Sequence, residues 1–109
     1  MRVRHLRITE RRAALEAIRE VGADAAGCAI MAPKAVHRVL KVYGLTPRQA
    51  NILKQEMLAR GGEAAVARGV VDGSAERTDV LLMGTLRQFA GLIAKLRMQP
   101  FGLKGLAGE

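Results

Sequence analysis

The sequence predicts an α+β domain in which helices cover mainly one face of a mixed β-sheet. Three observations support this: two helix starts that share one capping pattern, an apolar run typical of a central strand, and a chain that alternates between helical and extended patterns. The expected order is strand, helix, one or two strands, helix, two strands and helix. This order predicts a two-layer sandwich of about four to five strands and three helices. A ferredoxin-like variant is one way to connect them.

The best-defined helix begins after Thr46. The Thr46 hydroxyl can cap the helix, Pro47 suits the first helical position, and Gln49 completes a capping box. Apolar residues then recur at helical spacing until Gly61 and Gly62, which can end the helix. The segment between these signals is predicted to be one amphipathic helix.

An apolar run from Val80 to Met83 predicts a central strand over residues 79–85 that is buried on both faces. Thr85 and Gln88 then repeat the capping-box pattern at the start of the last helix. The expected buried stripe of that helix consists of Leu86, Phe89, Ala90, Ile93 and Leu96.

The first third of the chain combines an alternating pattern with one helical pattern. Residues 3–8 predict a strand whose charges suit the edge of a sheet. Thr9 is expected to cap a helix that ends at Gly22. Beyond it, residues 24–27 are expected to form a turn and residues 29–32 a short strand.

Two further segments are predicted to be strands. Residues 36–43 fit the helical template by spacing, but their β-branched content and the turn that follows favour a strand. Residues 64–71 are also expected to be extended, with Gly69 as a bulge.

Composition limits the classes of protein to which the chain can belong. At 109 residues it is long enough for one domain with a single core, and half of its residues are hydrophobic. The net charge of +8 is typical of proteins that bind anionic partners, such as nucleic acid, a membrane surface or an anionic substrate. The positive charge is concentrated, however, only in the first dozen residues. The sequence shows no secretory signal. It also contains no apolar run that approaches the ~20 residues needed to span a bilayer. We therefore expect a cytoplasmic protein without membrane contact.

The sequence offers few groups for metal or nucleophilic chemistry, and no catalytic or metal residue is predicted. His5 and His37 have no ligand partner at metal-binding spacing and are expected at the surface or on an edge strand. Cys28, the single cysteine, has no neighbouring base and is expected to be a small buried apolar residue. No glycine-rich phosphate motif occurs, and the Gly84-Thr85 pair is expected to be an ordinary turn.

Five polar residues form the best candidate binding face. Two of them flank the predicted strand and three lie along the first capped helix, and all five could gather around an anion, a phosphate or an acidic partner surface. The alternative is a solvated face on which the long side chains lie over the core. The five residues are Lys34, Arg38, Asn51, Lys54 and Gln55.

One long stretch of the chain resembles a known family. The string TPRQANILKQEMLARGGEAAV, with IMAPKAV before it and TDVLLMGT and KLRMQPFGL after it, resembles the N-terminal extension of long-form bacterial dihydropteroate synthases. The resemblance covers residues 3–107. That family joins a pterin pyrophosphate to p-aminobenzoate in folate biosynthesis.

The resemblance implies an accessory role. The family's TIM barrel of typically ~250 residues, with its pterin-binding and pyrophosphate-binding loops, does not appear in this sequence. No catalytic residue is therefore assigned, no cofactor is expected in this chain, and whether the chain is itself an enzyme stays open. The resemblance implies a domain that docks on the barrel, assists assembly or shapes access to the substrate site.

The end of the chain is predicted to be the join to such a barrel. Residues 1–100 are expected to form the domain, closed by Pro100, and residues 101–109 an apolar tail or linker. The implied partners are a barrel, in cis or in trans, or a second copy of the chain. The residues expected to dock are Phe101, Leu103 and Leu106.

A different class of function is a free-standing basic module that binds RNA or another polyanion. An arginine-rich first strand could contact phosphates without sequence preference. The chain has only three aromatic residues, which argues against stacking on single-stranded bases.

Overall fold

The chain forms an α+β fold, as the sequence predicts, in which strands and helices alternate from residue 37 onward. The computed structural model describes residues 1–98. The elements are α1 (Arg11–Val21), α2 (Ala25–Met31), a 3-10 turn (Ala32–Lys34), β1 (His37–Leu45), α3 (Pro47–Ala59), β2 (Glu63–Val66), α4 (Gly69–Asp72), β3 (Thr78–Thr85) and α5 (Leu86–Leu96).

The sheet of the described residues has three strands in the order β1-β3-β2, and both pairings are antiparallel. Val39 and Val42 of β1 lie opposite Met83 and Val80 of β3. Because β1 and β2 are both antiparallel to the strand between them, they run parallel to each other, which is the split βαβ arrangement. The predicted fold class is confirmed, but the prediction of a mixed sheet with four to five strands is wrong over residues 1–98.

The central strand is buried on one face only. Along β3, Thr78, Val80 and Leu82 are buried, whereas Asp79 and Leu81 between them are exposed. The prediction of burial on both faces is therefore wrong. The strand is buried on one face because α3 and α5 both pack on the side of Val80 and Leu82. It therefore keeps the two-residue alternation of an antiparallel sheet that is covered on one side.

The main hydrophobic core lies between the sheet and these two helices. Leu53 and Met57 of α3 and Val80 of β3 have no exposed surface. On α5 the buried positions are Phe89, Leu92 and Leu96, while Ala90 and Ile93 of the predicted stripe are exposed.

Both predicted capping boxes are present. Gln49 N donates to Thr46 Oγ1 at 3.2 Å, and Thr46 N donates to Gln49 Oε1 at 3.1 Å. At α5 the corresponding distances between Gln88 and Thr85 are 3.3 and 2.8 Å. Each cap contributes about 1 kcal/mol to stability, so the two helices that cover the sheet are fixed at their first residues. At the other end of α3, Gly61 adopts φ 86°, as its role as a helix stop predicts.

The N-terminal residues differ from the prediction. Residues 3–8 form no strand and are mostly exposed, and α1 begins after Glu10 rather than Thr9. An alternating pattern becomes a strand only when a neighbouring strand supplies hydrogen-bond partners, and among the described residues β1 pairs with β3 alone. Arg38 Nη1 instead donates to the carbonyl oxygen of Thr9 and holds this segment near β1.

The predictions of a turn at residues 24–27 and of a strand at residues 29–32 are also wrong. These residues form α2, and Asp24 caps it by accepting a 2.7 Å hydrogen bond from Gly27 N. Its alanine-rich sequence has high helix propensity, and α2 packs against α1 and the 3-10 turn. A small second core of Ala14, Ala32 and Val36 joins this part to the rest.

The strand predicted at residues 64–71 is shorter than expected. β2 ends at Val66, and Gly69 begins the single turn α4 instead of forming a bulge. A hydrogen bond from Ser74 N, at 2.9 Å, lowers the pKa of the exposed Asp72 carboxyl at the end of that turn. No helix within residues 1–98 has both the length and the apolar character needed to cross a bilayer.

Candidate functional site

The five residues predicted as a binding face lie on three elements. Lys34 is exposed at the end of the 3-10 turn, and Arg38 is half-buried on β1, where it donates to Thr9. Asn51 and Gln55 lie one turn apart on the exposed side of α3, and Lys54 beside them is half-buried. That all five bind one anion stays a prediction.

Lys34 also lines a cavity, together with residues that the sequence does not predict as part of a site. The cavity has a volume of about 440 Å³ and lies where the 3-10 turn, the end of α3 and the start of α5 meet. Three of its lining side chains are cations and none is a carboxylate. The lining residues are Lys34, Arg60, Thr85, Arg87, Gln88 and Gly91.

Local structure fixes one of the three cations. Arg60 directly follows α3, and its Nη1 donates to the carbonyl oxygen of Glu56 at 2.9 Å and lies 3.7 Å from Glu56 Oε1. The stem of Arg60 crosses Gly91 closely, since a Cβ there would lie 3.2 Å from Cδ and 3.3 Å from Nε. With 27% of its side chain exposed, Arg60 is held in place at the wall of the cavity.

A different surface lies on the side of the sheet that the helices leave uncovered. Val39 pairs with Met83 and Lys41 with Leu81, and Ala65 of β2 lies on the other side of Leu81. Val39, Tyr43 and Leu81 are 55%, 70% and 37% exposed. The open sheet face, as we call this surface, consists of Val39, Lys41, Tyr43, Ala65, Leu81 and Met83.

The charged residues of this side of the sheet lie around its centre, and Glu63 of β2 is opposite Met83 at one edge. Lys41 Nζ lies 3.9 Å from Asp79 Oδ2 and 5.0 Å from the centre of the Tyr43 ring. The centre of the face, around Val39, Leu81 and Met83, is apolar. A surface of this kind binds another apolar surface more readily than it binds a small charged ligand.

Some of the other candidates from the sequence lie within residues 1–98, and the docking residues do not. Cys28 is buried, as predicted, and its Sγ donates to the carbonyl oxygen of Ala23 at 3.5 Å. No group of three or more metal-ligating side chains occurs among the described residues. The predicted docking residues Phe101, Leu103 and Leu106 lie outside the described residues.

Comparison with known proteins connects the chain with one group of enzymes. The chain is 42% identical over 79 residues to a probable bifunctional folylpolyglutamate synthase/dihydropteroate synthase of Halobacterium salinarum, and 41% identical over 87 residues to a protein of the same name from Haloferax volcanii. It is 33% identical over 93 residues to a bifunctional dihydropteroate synthase/dihydropteroate reductase of Helicobacter pylori.

All three names contain dihydropteroate synthase. The similar regions cover 72%, 80% and 85% of this chain but only 9%, 10% and 24% of the respective relatives. The chain is therefore similar to a minor part of these multifunctional proteins, which agrees with the resemblance drawn from the sequence. No model of a protein family and no solved structure matches the chain.

Proposed function

We propose that this chain is an accessory domain that acts together with a dihydropteroate synthase in folate biosynthesis. Its role is to dock on the catalytic barrel and to assist assembly or shape access to the substrate site, without performing the pterin condensation itself. The similarity of most of the chain to a minor part of dihydropteroate synthase-containing proteins supports this proposal.

The open sheet face is the observation that carries the docking role. An antiparallel sheet with one side in water normally presents polar residues on that side, whereas here Val39, Leu81 and Met83 form an apolar centre. The barrel is the occupant that we propose, because the relatives combine a similar segment and a dihydropteroate synthase in one protein.

The docking role predicts the effect of a charge placed on this face. Val39→Lys should weaken association with the dihydropteroate synthase barrel of the same organism at least about tenfold, because a lysine ammonium would have to be desolvated in an apolar interface. Isothermal titration calorimetry of the chain against the barrel measures the affinity. Val21→Lys is the matched control, since Val21 is 87% exposed at the end of α1 and lies outside the open sheet face.

Two results would contradict the docking role. One is no association between the unaltered chain and the barrel at micromolar concentrations. The other is equal weakening by Val39→Lys and Val21→Lys, which would place the interface elsewhere or show a general effect of charge. Circular dichroism of both variants verifies that the fold is kept.

A second candidate is a share in the reduction of dihydropteroate, which the name of the Helicobacter pylori relative favours. The similar segment of 93 residues is 24% of that protein, so the protein has about 390 residues, and a barrel of about 250 leaves room for this segment in the remaining ~140. The segment would then lie in the part that is not needed for condensation.

This candidate is tested by direct assay. Reduction adds two electrons and two protons to dihydropteroate, so a hydride donor such as a reduced nicotinamide or a reduced flavin must be supplied. We would follow donor oxidation and tetrahydropteroate formation with the chain alone and with the chain plus the barrel. Product above the level of the reaction without the chain supports a reductase role, and its absence with every donor in both preparations removes it.

A further inference from the structure

We propose that the cavity between the 3-10 turn, the end of α3 and the start of α5 binds a phosphate group. The proposal rests on the three cations that line it, Lys34, Arg60 and Arg87, and on the lack of a carboxylate among the lining residues. It shares no residue with the open sheet face and does not depend on how the chain docks.

The backbone at the start of α5 does not carry the proposal. Leu86 N already donates to the carbonyl oxygen of Val36 at 3.0 Å, and Gln88 N donates to Thr85 Oγ1 at 3.3 Å. Two of the N–H groups that a helix N-terminus can offer to an anion are thus used in the fold. The proposal therefore rests on the side chains of Lys34, Arg60 and Arg87.

Arg60 is the ordered member of this group. Its stem lies against Gly91, and its Nη1 is directed to the carbonyl oxygen of Glu56, so little side-chain entropy remains to be lost when a ligand binds. The ion pair with Glu56 offsets part of its charge. Lys34 and Arg87 are exposed and supply charge that no carboxylate of the lining offsets.

The chemistry of these side chains favours phosphate over a carboxylate. A phosphate monoester presents several oxygens and about two negative charges at neutral pH, which matches a cavity lined by three cations. Arginine donates two parallel hydrogen bonds to such oxygens, and lysine acts as a mobile point charge. The volume of about 440 Å³ also leaves room for part of the molecule that carries the phosphate.

Two sources could supply this group: a pyrophosphate, as on an activated pterin, or the phosphate of a nucleotide. Calorimetric titration of the chain with inorganic pyrophosphate and with adenosine 5′-monophosphate, in 50 mM salt, distinguishes them. We expect saturable binding of at least one of the two. Tighter binding of pyrophosphate indicates the diphosphate source, and tighter binding of the monophosphate indicates a nucleotide.

The variants locate the site. The double variant Lys34→Gln/Arg87→Gln should lose at least about tenfold in affinity, whereas Arg19→Gln, an exposed arginine on α1, should change it less than about twofold. Absence of binding by the unaltered chain would overturn the proposal. So would an equal loss in all variants, which would mean non-specific attraction by the net charge of +8 and would favour a general polyanion binder.

Because these titrations use the chain alone, their outcome is independent of association with the barrel. A phosphate site can exist without docking, and docking can exist without a phosphate site. Failure of one proposal therefore leaves the other to be judged on its own measurement.

Discussion

Leu53→Ala is expected to lower the free energy of unfolding by about 2–5 kcal/mol. Leu53 is fully buried near the middle of α3 and belongs to the core cluster that joins α3, α5 and the sheet. Removing most of its side chain loses apolar burial and leaves a cavity within a cluster of buried residues. For a domain whose total stability is about 5–15 kcal/mol, this loss is a large fraction of the whole.

Chemical denaturation with urea, followed by circular dichroism, measures this effect. Leu58→Ala is the matched control because Leu58 lies on the same helix, is only half-buried and undergoes the same substitution. We expect the control to lose less than half as much. Equal losses at the two positions would show that the sheet-facing side of α3 is not the centre of the core.

Gly62→Ala is expected to lower the free energy of unfolding by about 1–3 kcal/mol, through overpacking rather than a cavity. A Cβ at Gly62 would lie 2.5 Å from Cε of Met57 and 2.9 Å from the backbone oxygen of Met83. The Met57 methyl ends a flexible side chain, although that side chain is fully buried and has little room to shift. The Met83 oxygen belongs to the backbone of the central strand and cannot move away without disturbing the sheet.

Gly91→Ala provides the comparison for Gly62→Ala. Its Cβ would meet only side-chain atoms of Arg60, at 3.2 Å from Cδ, so a small shift of that one side chain relieves the contact. Alanine also favours the interior of a helix over glycine by up to about 1 kcal/mol. Thermal unfolding of both variants should therefore show a clear decrease in melting temperature for Gly62→Ala and little change or an increase for Gly91→Ala. The opposite order would mean that β2 and β3 tolerate a shift of their backbones.

Local signals in the sequence were sufficient for the elements that cover the sheet. Thr46 and Thr85 cap their helices with the side-chain partners that the capping-box pattern requires. The segment at residues 36–43, whose sequence fits both a helical and a strand pattern, forms strand β1. Its β-branched residues and the turn that follows it indicate the strand correctly. These decisions depend on neighbours within a few residues along the chain.

The failed predictions depend on contacts that local patterns do not contain. Residues 3–8 alternate like a strand but pair with none of the described strands, and Leu81 is exposed because helices pack only on the other side of β3. The local pattern predicts a turn at Asp24, although an aspartate before an alanine-rich run is also a helix cap. Only the packing of α2 on α1 decides between the two.

The candidate sites show the same limit. The sequence predicts Lys34 as part of a basic site, but it gives no signal for Arg60 and Arg87, which are far from Lys34 in the sequence. Each lies beside a signal with a structural role. Arg60 precedes the glycine stop of α3, and Arg87 lies in the first turn after the Thr85 cap. The fold, not the spacing of residues, places the three cations around one cavity.

The strand order also determines when this domain can form during its synthesis. The strand at the centre of the sheet, β3, is the last of the three to be translated, and both β1 and β2 pair with it alone among the described residues. A nascent chain that has not yet reached Thr78 holds two strands that have no partner in the sheet. On the ribosome, folding of this unit must therefore wait until its central strand leaves the exit tunnel, and until then the apolar sides of β1 and α3 are open to chaperones and to neighbouring nascent segments.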